Sequence, residues 1–378
     1  MSTDLSKTLG QRISRQRQTL GLTQKDLALQ VGFSSAEIIS QIELGKREVK
    51  AWELAKLAQI LYVNLSDLLS LEEPNPFPGI LWRVLPSDQI EAKEAKFLKN
   101  CQQYSLLEEL SGTIIRKSFP QKSLSISAIN FITTERLAVD IREEFSLGDK
   151  PASVLQKTLE DKYGVKIFYE SMDEGSAAST IGSFGPAILM NRNEAPWRRN
   201  YNFAHEVFHL ITWESIPARS IRNNKQRWDY MEKLANYFAS CLLLPGEIVR
   251  IEIEEKKIDN EIDYSDLIEI ARKFDVSTEA LIYRLLNLKL IKKKVVHSIL
   301  NDPVFRSYDR ATMHASWWDP PQLPERYVRL AFVAYQKGKL SRAKLARLLG
   351  VNLLDIGLTF RKYGLDDSQL PGKIEIFA

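Results

Sequence analysis

Three residues combine side chains and a spacing that could bind and use a metal ion. His205, Glu206 and His209 form the pattern H-E-x-x-H within the segment NFAHEVFHLI. Residues four positions apart lie on the same side of a helix, so both imidazoles can reach one Zn²⁺ while Glu206 reaches a water molecule on that metal. The apolar residues around the pattern require burial. The spacing therefore predicts a catalytic zinc site on a buried helix, with Glu206 as the base.

A chance match or an inactive site is the alternative interpretation of this pattern. The chain contains only four histidines, so a pair at this spacing rarely arises by chance. The other two, His297 and His314, stand alone in the sequence. We expect each of these to be a surface histidine or a hydrogen-bonded core histidine rather than a ligand.

A catalytic zinc ion needs a third protein ligand, and a downstream segment offers one. In QRWDYMEKLANYFASCLLLP the apolar residues recur at helical spacing, and Glu232 lies beside that apolar stripe. A carboxylate at the edge of a buried face is unfavourable unless a cation receives it, and a zinc ion would do so. Asp229 and Glu214 are weaker alternatives, and Glu232 could instead be a solvated helix residue. Asn236, one turn later, could orient a ligand or cap a loop.

The segments PAILMNRNEAPWRRNYNFAHEVFHLIT and MEKLANYFASCLLLP resemble the ImmA/IrrE metallopeptidases, over roughly residues 125 to 295. Such proteins are compact zinc peptidases with an H-E-x-x-H helix, a glutamate ligand in an E-x-x-A-N helix and a strand ahead of the first helix. The resemblance implies that His205, His209 and Glu232 bind zinc and that Glu206 is the base. Phe208 stands where many members have glycine, which leaves less room near the metal.

The resemblance also implies a class of substrate. Members of the family cut repressors that themselves carry helix-turn-helix domains, in phage, mobile-element and stress circuits. We expect the partner to enter as an extended strand, because pairing with an exposed sheet edge places a peptide carbonyl over the metal without sequence-specific pockets. The predicted edge is the strand before the H-E-x-x-H helix, formed by Ala187, Ile188, Leu189, Met190 and Asn191.

Residues 5 to 70 show another pattern, a series of short helices with apolar residues at helical spacing. The segment TQKDLALQVGFSSAEIISQIELGKR resembles Cro/repressor-type (XRE) DNA-binding domains. The resemblance implies that Gln24 contacts phosphate and that the third helix faces the major groove. Between Gly32 and Ile39 the chain has one residue more than the common pattern. The candidates for base contacts are Ala36, Glu37, Ser40 and Gln41.

The charge of this region bears on how it would bind an operator. Residues 1 to 70 hold nine Lys or Arg and seven Asp or Glu, a weak electrostatic footprint for double-stranded DNA. We therefore expect affinity to come from a homodimer. The alternative is a five-helix interaction module that does not bind DNA.

The composition excludes several classes of protein. The chain has 378 residues, of which 44% are hydrophobic and 26% charged, so it is too apolar for a disordered scaffold and too long for one compact core. No apolar run reaches the roughly 18 residues of a membrane span, and two cysteines cannot form a disulfide framework. We expect a cytoplasmic protein without a membrane partner. The net charge of +4 permits DNA binding by a local patch.

These observations together predict a multidomain chain. An all-α helix-turn-helix domain is expected at residues 1–71, followed at 72–120 by a linker, which includes EEPNPFPG, and an amphipathic helix. An α+β zincin-like metallopeptidase domain is expected at 121–300. The helical C-terminal region, 301–378, could be a second helix-turn-helix or a hairpin for packing or dimerisation.

The predicted function is that of a DNA-binding regulator with zinc-dependent endopeptidase activity, which cleaves a partner repressor or antitoxin-like protein. The alternative is a non-catalytic transcription factor or antitoxin-like binding module whose zinc site is structural or sensory. An intact Glu206 favours the enzyme, since a structural zinc site has no need of a base.

Overall fold

The computed structural model describes residues 2–20, 22–61, 63, 65–69, 79–113, 117–124, 128–216, 224–313 and 318–365. The chain divides into two compact units. Unit 1 comprises residues 1–78 and 85–105, and unit 2 comprises residues 79–84 and 106–378. This division differs from the sequence-based boundaries, because residues 79–84 belong to unit 2 and residues 301–378 do not separate from 121–300. Residues 72–78 of the predicted linker lie outside the described residues.

Unit 1 begins with five helices: α1 Ser2–Thr19, α2 Gln24–Val31, α3 Ala36–Glu43, α4 Ala51–Ile60 and α5 Leu65–Leu69. Thr23 starts α2 through a capping box, in which its hydroxyl accepts from Asp26 N and the Asp26 carboxylate accepts from Thr23 N. Gly32 ends α2 with a φ of 88°, a left-handed conformation that favours glycine. Ile39 and Ile42 of α3 are buried in the core of this unit. The predicted order of short helices is therefore present.

The remaining described helices and strands begin with α6, Ile90–Ser111, which contributes residues to both units. The four strands of unit 2 are β1 Leu81–Trp82, β2 Lys166–Glu170, β3 Ala177–Gly182 and β4 Gly185–Asn191. Its helices up to the middle of the unit are α7 Phe131–Phe145, α8 Pro151–Tyr163, α9 Pro196–Ile211, α10 Lys225–Leu243, α11 Gly246–Lys256 and α12 Tyr264–Lys273. The last six are α13 Thr278–Asn287, α14 Lys293–Asn301, α15 Pro303–Met313, α16 Glu325–Gln336, α17 Arg342–Leu349 and α18 Ile356–Lys362.

The four strands form one mixed sheet in the order β1-β3-β4-β2. β3 and β4 form a hairpin whose register brings Gly182 opposite Gly185, and Gly185 has a φ of 91°. β2 pairs with β4 in parallel, and β1 pairs with β3 antiparallel. The fold is a helical domain followed by an α+β domain with a small sheet and a helical C-terminal region, as the sequence predicts.

The helix with the H-E-x-x-H pattern, α9, is buried between the sheet and α10. Pro196 stands at its first turn, where the missing N–H costs nothing. Phe203 and Val207 of α9 join Leu234 and Phe238 of α10 and Ile188 of β4 in one hydrophobic core. Burial of both helices in this core positions the polar residues that they carry.

The predicted substrate edge is wrong, because Ala187–Asn191 lies in an interior strand. Every residue from Ala187 to Asn191 is paired with β2, and Ala187 to Met190 also pair with β3. Their main-chain groups face sheet partners on both sides, so no further strand can pair there. The sheet ends instead at β1 on one side and at β2 on the other.

Within the described ranges, no single helix is long and apolar enough to cross a membrane. α10 and α11 pass that test only as a pair, and they are bent by 59°.

Candidate metal centre

α9 and α10 bring three candidate ligand side chains together. His205 Nε2 lies 3.3 Å from Glu232 Oε2, and His209 Nε2 lies 3.2 Å from Glu232 Oε1. The two imidazole Nε2 atoms are 3.1 Å apart. The three residues offer ligand atoms within 4.8 Å of one another, and two of the three side chains are buried. The helical spacing of the histidines and the neighbouring helix thus converge on one point.

The chemistry of this donor set fits a zinc ion. Two imidazole nitrogens and a carboxylate are the ligands of catalytic zinc sites, with a fourth position left for water or substrate. Glu206 Oε1 and Glu232 Oε1 are buried, and neither has a well-aligned hydrogen bond among the described residues, although Glu232 Oε1 lies 3.2 Å from His209 Nε2. Buried carboxylate oxygens without partners are costly unless a cation or water completes them. A divalent cation between the three residues would remove this cost for Glu232.

The three side chains of the cluster shift one another's pKa values. Burial lowers the pKa of His205 to about 4, although Glu232 acts in the opposite direction. Burial opposes the ionisation of Glu232, but the two imidazoles hold its pKa below the ordinary value. Burial acts to lower the pKa of His209, yet the carboxylates of Glu232 and Glu206 raise it. Metals bind neutral imidazoles and ionised carboxylates, so a cation that binds here must displace the proton that the raised pKa of His209 favours.

Asn236 of α10 holds the ring of His205. Asn236 Oδ1 lies 3.1 Å from His205 Nδ1 and accepts a hydrogen bond of 3.1 Å from Arg83 Nη2. A guanidinium can only donate, so the atom between them is the amide oxygen, and His205 Nδ1 must carry the proton. This tautomer leaves the Nε2 lone pair free for the cluster. The structure thus gives Asn236 the orienting contact that the sequence analysis left open.

Glu206 lies beside the three ligand candidates and faces the sheet. Its Oε2 accepts a hydrogen bond of 2.6 Å from the hydroxyl of Ser179 on β3. Burial raises the pKa of Glu206 to about 7. One oxygen is therefore held by the sheet, while the other has no partner among the described residues. The hydrogen bond from Ser179 thus fixes one carboxylate oxygen and leaves the other for a water molecule or a substrate.

The alternative ligands of the sequence analysis lie outside the cluster. Asp229 and Glu214 are exposed, and neither belongs to the group of three. His297 is also exposed, as expected for a surface histidine. His314 lies outside the described residues.

Sequence reasoning missed several residues of the site. Ser179 binds Glu206, Arg83 binds both Asn236 and Asn202, and the Trp228 ring stacks on His209 with centroids 6.2 Å apart. The segment SAASTIG, which contains Thr180 and Ile181 and is bounded by glycines, could have indicated β3. Nothing in the local sequence marks Arg83, because its partners are 119 and 153 positions away.

The predicted DNA-facing residues lie on one side of α3. Glu37 and Gln41 are exposed and Ala36 and Ser40 are half-buried, opposite the buried Ile39 and Ile42. Gln24 does not stand free, because its Nε2 donates a hydrogen bond of 2.8 Å to Glu43 Oε2. Its second amide hydrogen is still a donor for phosphate. The base contacts and the phosphate contact stay predictions.

Two family models match separate parts of the chain. Residues 160–286 match the IrrE N-terminal-like domain, and residues 10–74 match a helix-turn-helix domain. An uncharacterized HTH-type transcriptional regulator of Sinorhizobium fredii (strain NBRC 101917 / NGR234) is 34% identical over 74 residues, which are 20% of this chain and 95% of that protein. The chain therefore joins an XRE-type helix-turn-helix domain to an IrrE/ImmA-like domain of a peptidase family. Both resemblances drawn from the sequence are confirmed.

Proposed function

We propose that this chain, which joins a helix-turn-helix domain to an IrrE-like peptidase domain, is a cytoplasmic DNA-binding regulator and a zinc-dependent endopeptidase. Its substrate is a partner repressor or antitoxin-like protein of a phage, mobile-element or stress circuit. His205, His209 and Glu232 hold the zinc ion, Glu206 is the catalytic base, and Asn236 orients His205.

One observation supports the enzyme above all others, namely the position of Glu206. Its side chain is fully buried beside the ligand cluster, and Oε1 has no hydrogen-bond partner among the described residues. A binding module gains nothing from such a carboxylate, because its burial is costly. A hydrolase uses it to move a proton.

The residues of the site have separate roles in the proposed peptide hydrolysis. When bound, zinc supplies Lewis acidity to a water molecule and to the scissile carbonyl. Glu206 Oε1 takes the proton of the attacking water and then passes it to the leaving amine. Ser179 holds Oε2 at 2.6 Å, so the carboxylate presents Oε1 in one orientation. Asn236 keeps the His205 ring in the tautomer that binds metal.

In this proposal the helix-turn-helix domain binds a specific operator sequence on DNA. Exposed Glu37 and Gln41 on α3 would read base edges in the major groove, and Gln24 would fix the register on phosphate. The small excess of basic residues in this region favours a homodimer on a two-fold operator.

The test compares cells that express the wild-type chain with cells that express Glu206→Gln. Glutamine keeps the size and polarity of the side chain but cannot accept the proton. Loss of general base catalysis costs about 10²- to 10⁴-fold in rate, so the partner protein should become stable in the variant cells. Exposed Glu214→Gln serves as the matched control and should leave the partner's half-life unchanged.

Zinc content of both purified variants is measured in parallel and should equal that of the wild type. Equal partner half-lives in wild-type and Glu206→Gln cells, beside an intact regulatory phenotype, would contradict the enzyme. The zinc site would then be structural or sensory, and the chain would act as a transcription factor or antitoxin-like module by binding alone.

A further inference from the structure

A short segment covers the edge of the sheet beside Glu206. β3 carries Ser179, which binds Glu206, and β4 occupies one side of β3. The other side of β3 is paired with β1, where Leu81 stands directly opposite Ser179. We name residues 79–84 the strap. The strap therefore occupies the side of β3 that β4 leaves open.

The strap is held along its whole length and not only at the two residues of β1. Three further hydrogen bonds fasten it to β3 and the residue before it: Arg83 N to Ala177 O at 2.9 Å, Ser176 N to Val84 O at 3.2 Å, and Thr180 Oγ1 to Gly79 O at 3.0 Å. Ile80, Leu81 and Trp82 are all at least 95% buried. The strap is therefore both paired with β3 and buried.

The strap points alternate side chains at the candidate metal centre. Directly opposite residues of an antiparallel pair project to the same face, so Leu81 shares the face of Ser179 and Glu206. Arg83, two residues on, projects to that face as well. Its guanidinium hydrogen-bonds Asn236 Oδ1, the atom that also holds His205. The strap thus reaches the residues that surround the three ligand candidates.

We propose that the strap is an internal pseudosubstrate, bound at the β3 edge where the main chain of a substrate pairs. The inference rests on the proposed function, because only a peptidase needs to bring an extended chain to this point. Main-chain pairing with an exposed edge is a general mode of peptide recognition. The other edge of the sheet, β2, is separated from β3 by β4 and is remote from Ser179.

The side chains of the strap indicate which class of peptide segment the β3 edge accepts. In a paired strand every second side chain faces the site, and here these are a leucine and, two positions later, an arginine. The substrate is accordingly an extended segment with an apolar residue two positions before a basic one. Residues 79–84 lie outside the match to the IrrE N-terminal-like domain, which begins at residue 160.

The first variant weakens the strap by a substitution that replaces none of the candidate metal ligands or their hydrogen-bond partners. Leu81→Pro removes a main-chain donor opposite Ser179, whereas Leu85→Pro places the same residue in an exposed position just after the strap. Both are made in the full-length zinc-loaded chain with Glu206→Gln, so that a bound peptide is not cut. The probe is a fluorescent, end-capped peptide with the sequence of residues 79–85, GILWRVL.

The strap competes with the probe at an effective concentration of about 1 mM, as tethered segments do. Fluorescence anisotropy should therefore show at least tenfold tighter probe binding to the Leu81→Pro chain than to the Leu85→Pro chain or to the Glu206→Gln chain with an unchanged strap. A probe with the leucine and arginine exchanged should bind more weakly than GILWRVL. Equal probe affinity for all three chains would overturn the proposal.

A second variant, the locked chain, has a disulfide between the strap and β3 and tests the proposal if Leu81→Pro does not fold. Trp82 and Ala178 form a pair between hydrogen-bonded pairs, with Cα atoms about 4.5 Å apart, a distance that a disulfide spans. Oxidised Trp82→Cys/Ala178→Cys protein should not bind the probe, and reduction should restore binding. Probe binding by the oxidised protein would also overturn the proposal.

The same strap variants with Glu206 intact distinguish the pseudosubstrate proposal from the proposed endopeptidase activity. Tighter probe binding after release of the strap, without cleavage of the partner protein, would retain the strap as a displaceable occupant of the β3 edge and refute the endopeptidase. Cleavage of the partner protein at equal rates by the locked and unlocked chains would retain the endopeptidase and refute the pseudosubstrate.

Discussion

Asn236 Oδ1 lies 3.1 Å from His205 Nδ1 and accepts a second hydrogen bond from Arg83. The two residues come from different helices, α10 and α9, and the amide sets the ring orientation of a candidate zinc ligand. The contact connects the strap to the candidate metal centre through one oxygen atom.

We expect Asn236→Ala to weaken zinc binding by about 10- to 100-fold, the usual effect of removing the partner that orients a ligand histidine. His205 would lose the acceptor that fixes its tautomer. Zinc affinity is measured by competition with a chromophoric chelator. Asn200→Ala removes an amide of α9 that instead donates to Asp275 O, and it should leave the affinity unchanged. Equal affinities for both variants would contradict the role of Asn236.

Alanine at His205, at His209 or at Glu232 should each deplete the zinc, because three protein ligands are the minimum of a catalytic site. Metal content per chain is measured after dialysis. Alanine at exposed Asp229 or Glu214 should leave about one zinc ion per chain. Full occupancy in the Glu232→Ala chain would make one of these two carboxylates the third ligand.

Gln41→Ala should lower affinity for the preferred operator by about 5- to 150-fold and relax its sequence preference, because a glutamine can pair bidentately with adenine. Gln24→Ala should weaken binding to all sequences alike, since phosphate contacts carry no sequence information. Both are assayed in the full-length chain by mobility shift at several salt concentrations. Exposed Gln11 of α1 is the control position. Unchanged binding in both test variants would favour the interaction-module interpretation.

Glu160 of α8 should make the fold less stable as the pH rises. Burial raises the pKa of Glu160 from 4.5 to about 7, so between these values the folded chain binds more protons than the unfolded chain. Stability therefore falls as the pH increases through this window. Glu160→Gln should stabilise the fold at pH 8 by about 1 to 3 kcal/mol and leave it unchanged near pH 4.

Urea unfolding at both pH values checks this difference. Exposed Glu143→Gln should show no pH-dependent gain. If the free energy of unfolding of Glu160→Gln depended on pH as that of the wild type does, folding would not raise the pKa of Glu160.

The two domains and the three candidate metal ligands could be predicted from the sequence because the patterns that indicate them are local. Helical periodicity places His205 and His209 on one side of a helix, and a capped series of short apolar helices identifies the N-terminal domain. Glu232 was selected because a carboxylate beside an apolar stripe needs a cation. The structure brings these three side chains together, as the sequence analysis predicted.

Strand pairing was decided only by the tertiary structure. The run Ala187–Asn191 reads as a strand, but alternation along a chain does not tell how many neighbours a strand has, and β4 proved to be interior. β1 has only two residues and carries no periodicity that a sequence can show. Its pairing with β3, and the contacts of Arg83 with Asn236 and Asn202, join residues about a hundred or more positions apart. Hydrophobic burial determines which residues lie inside, whereas the partner of each main-chain edge depends on the complete fold.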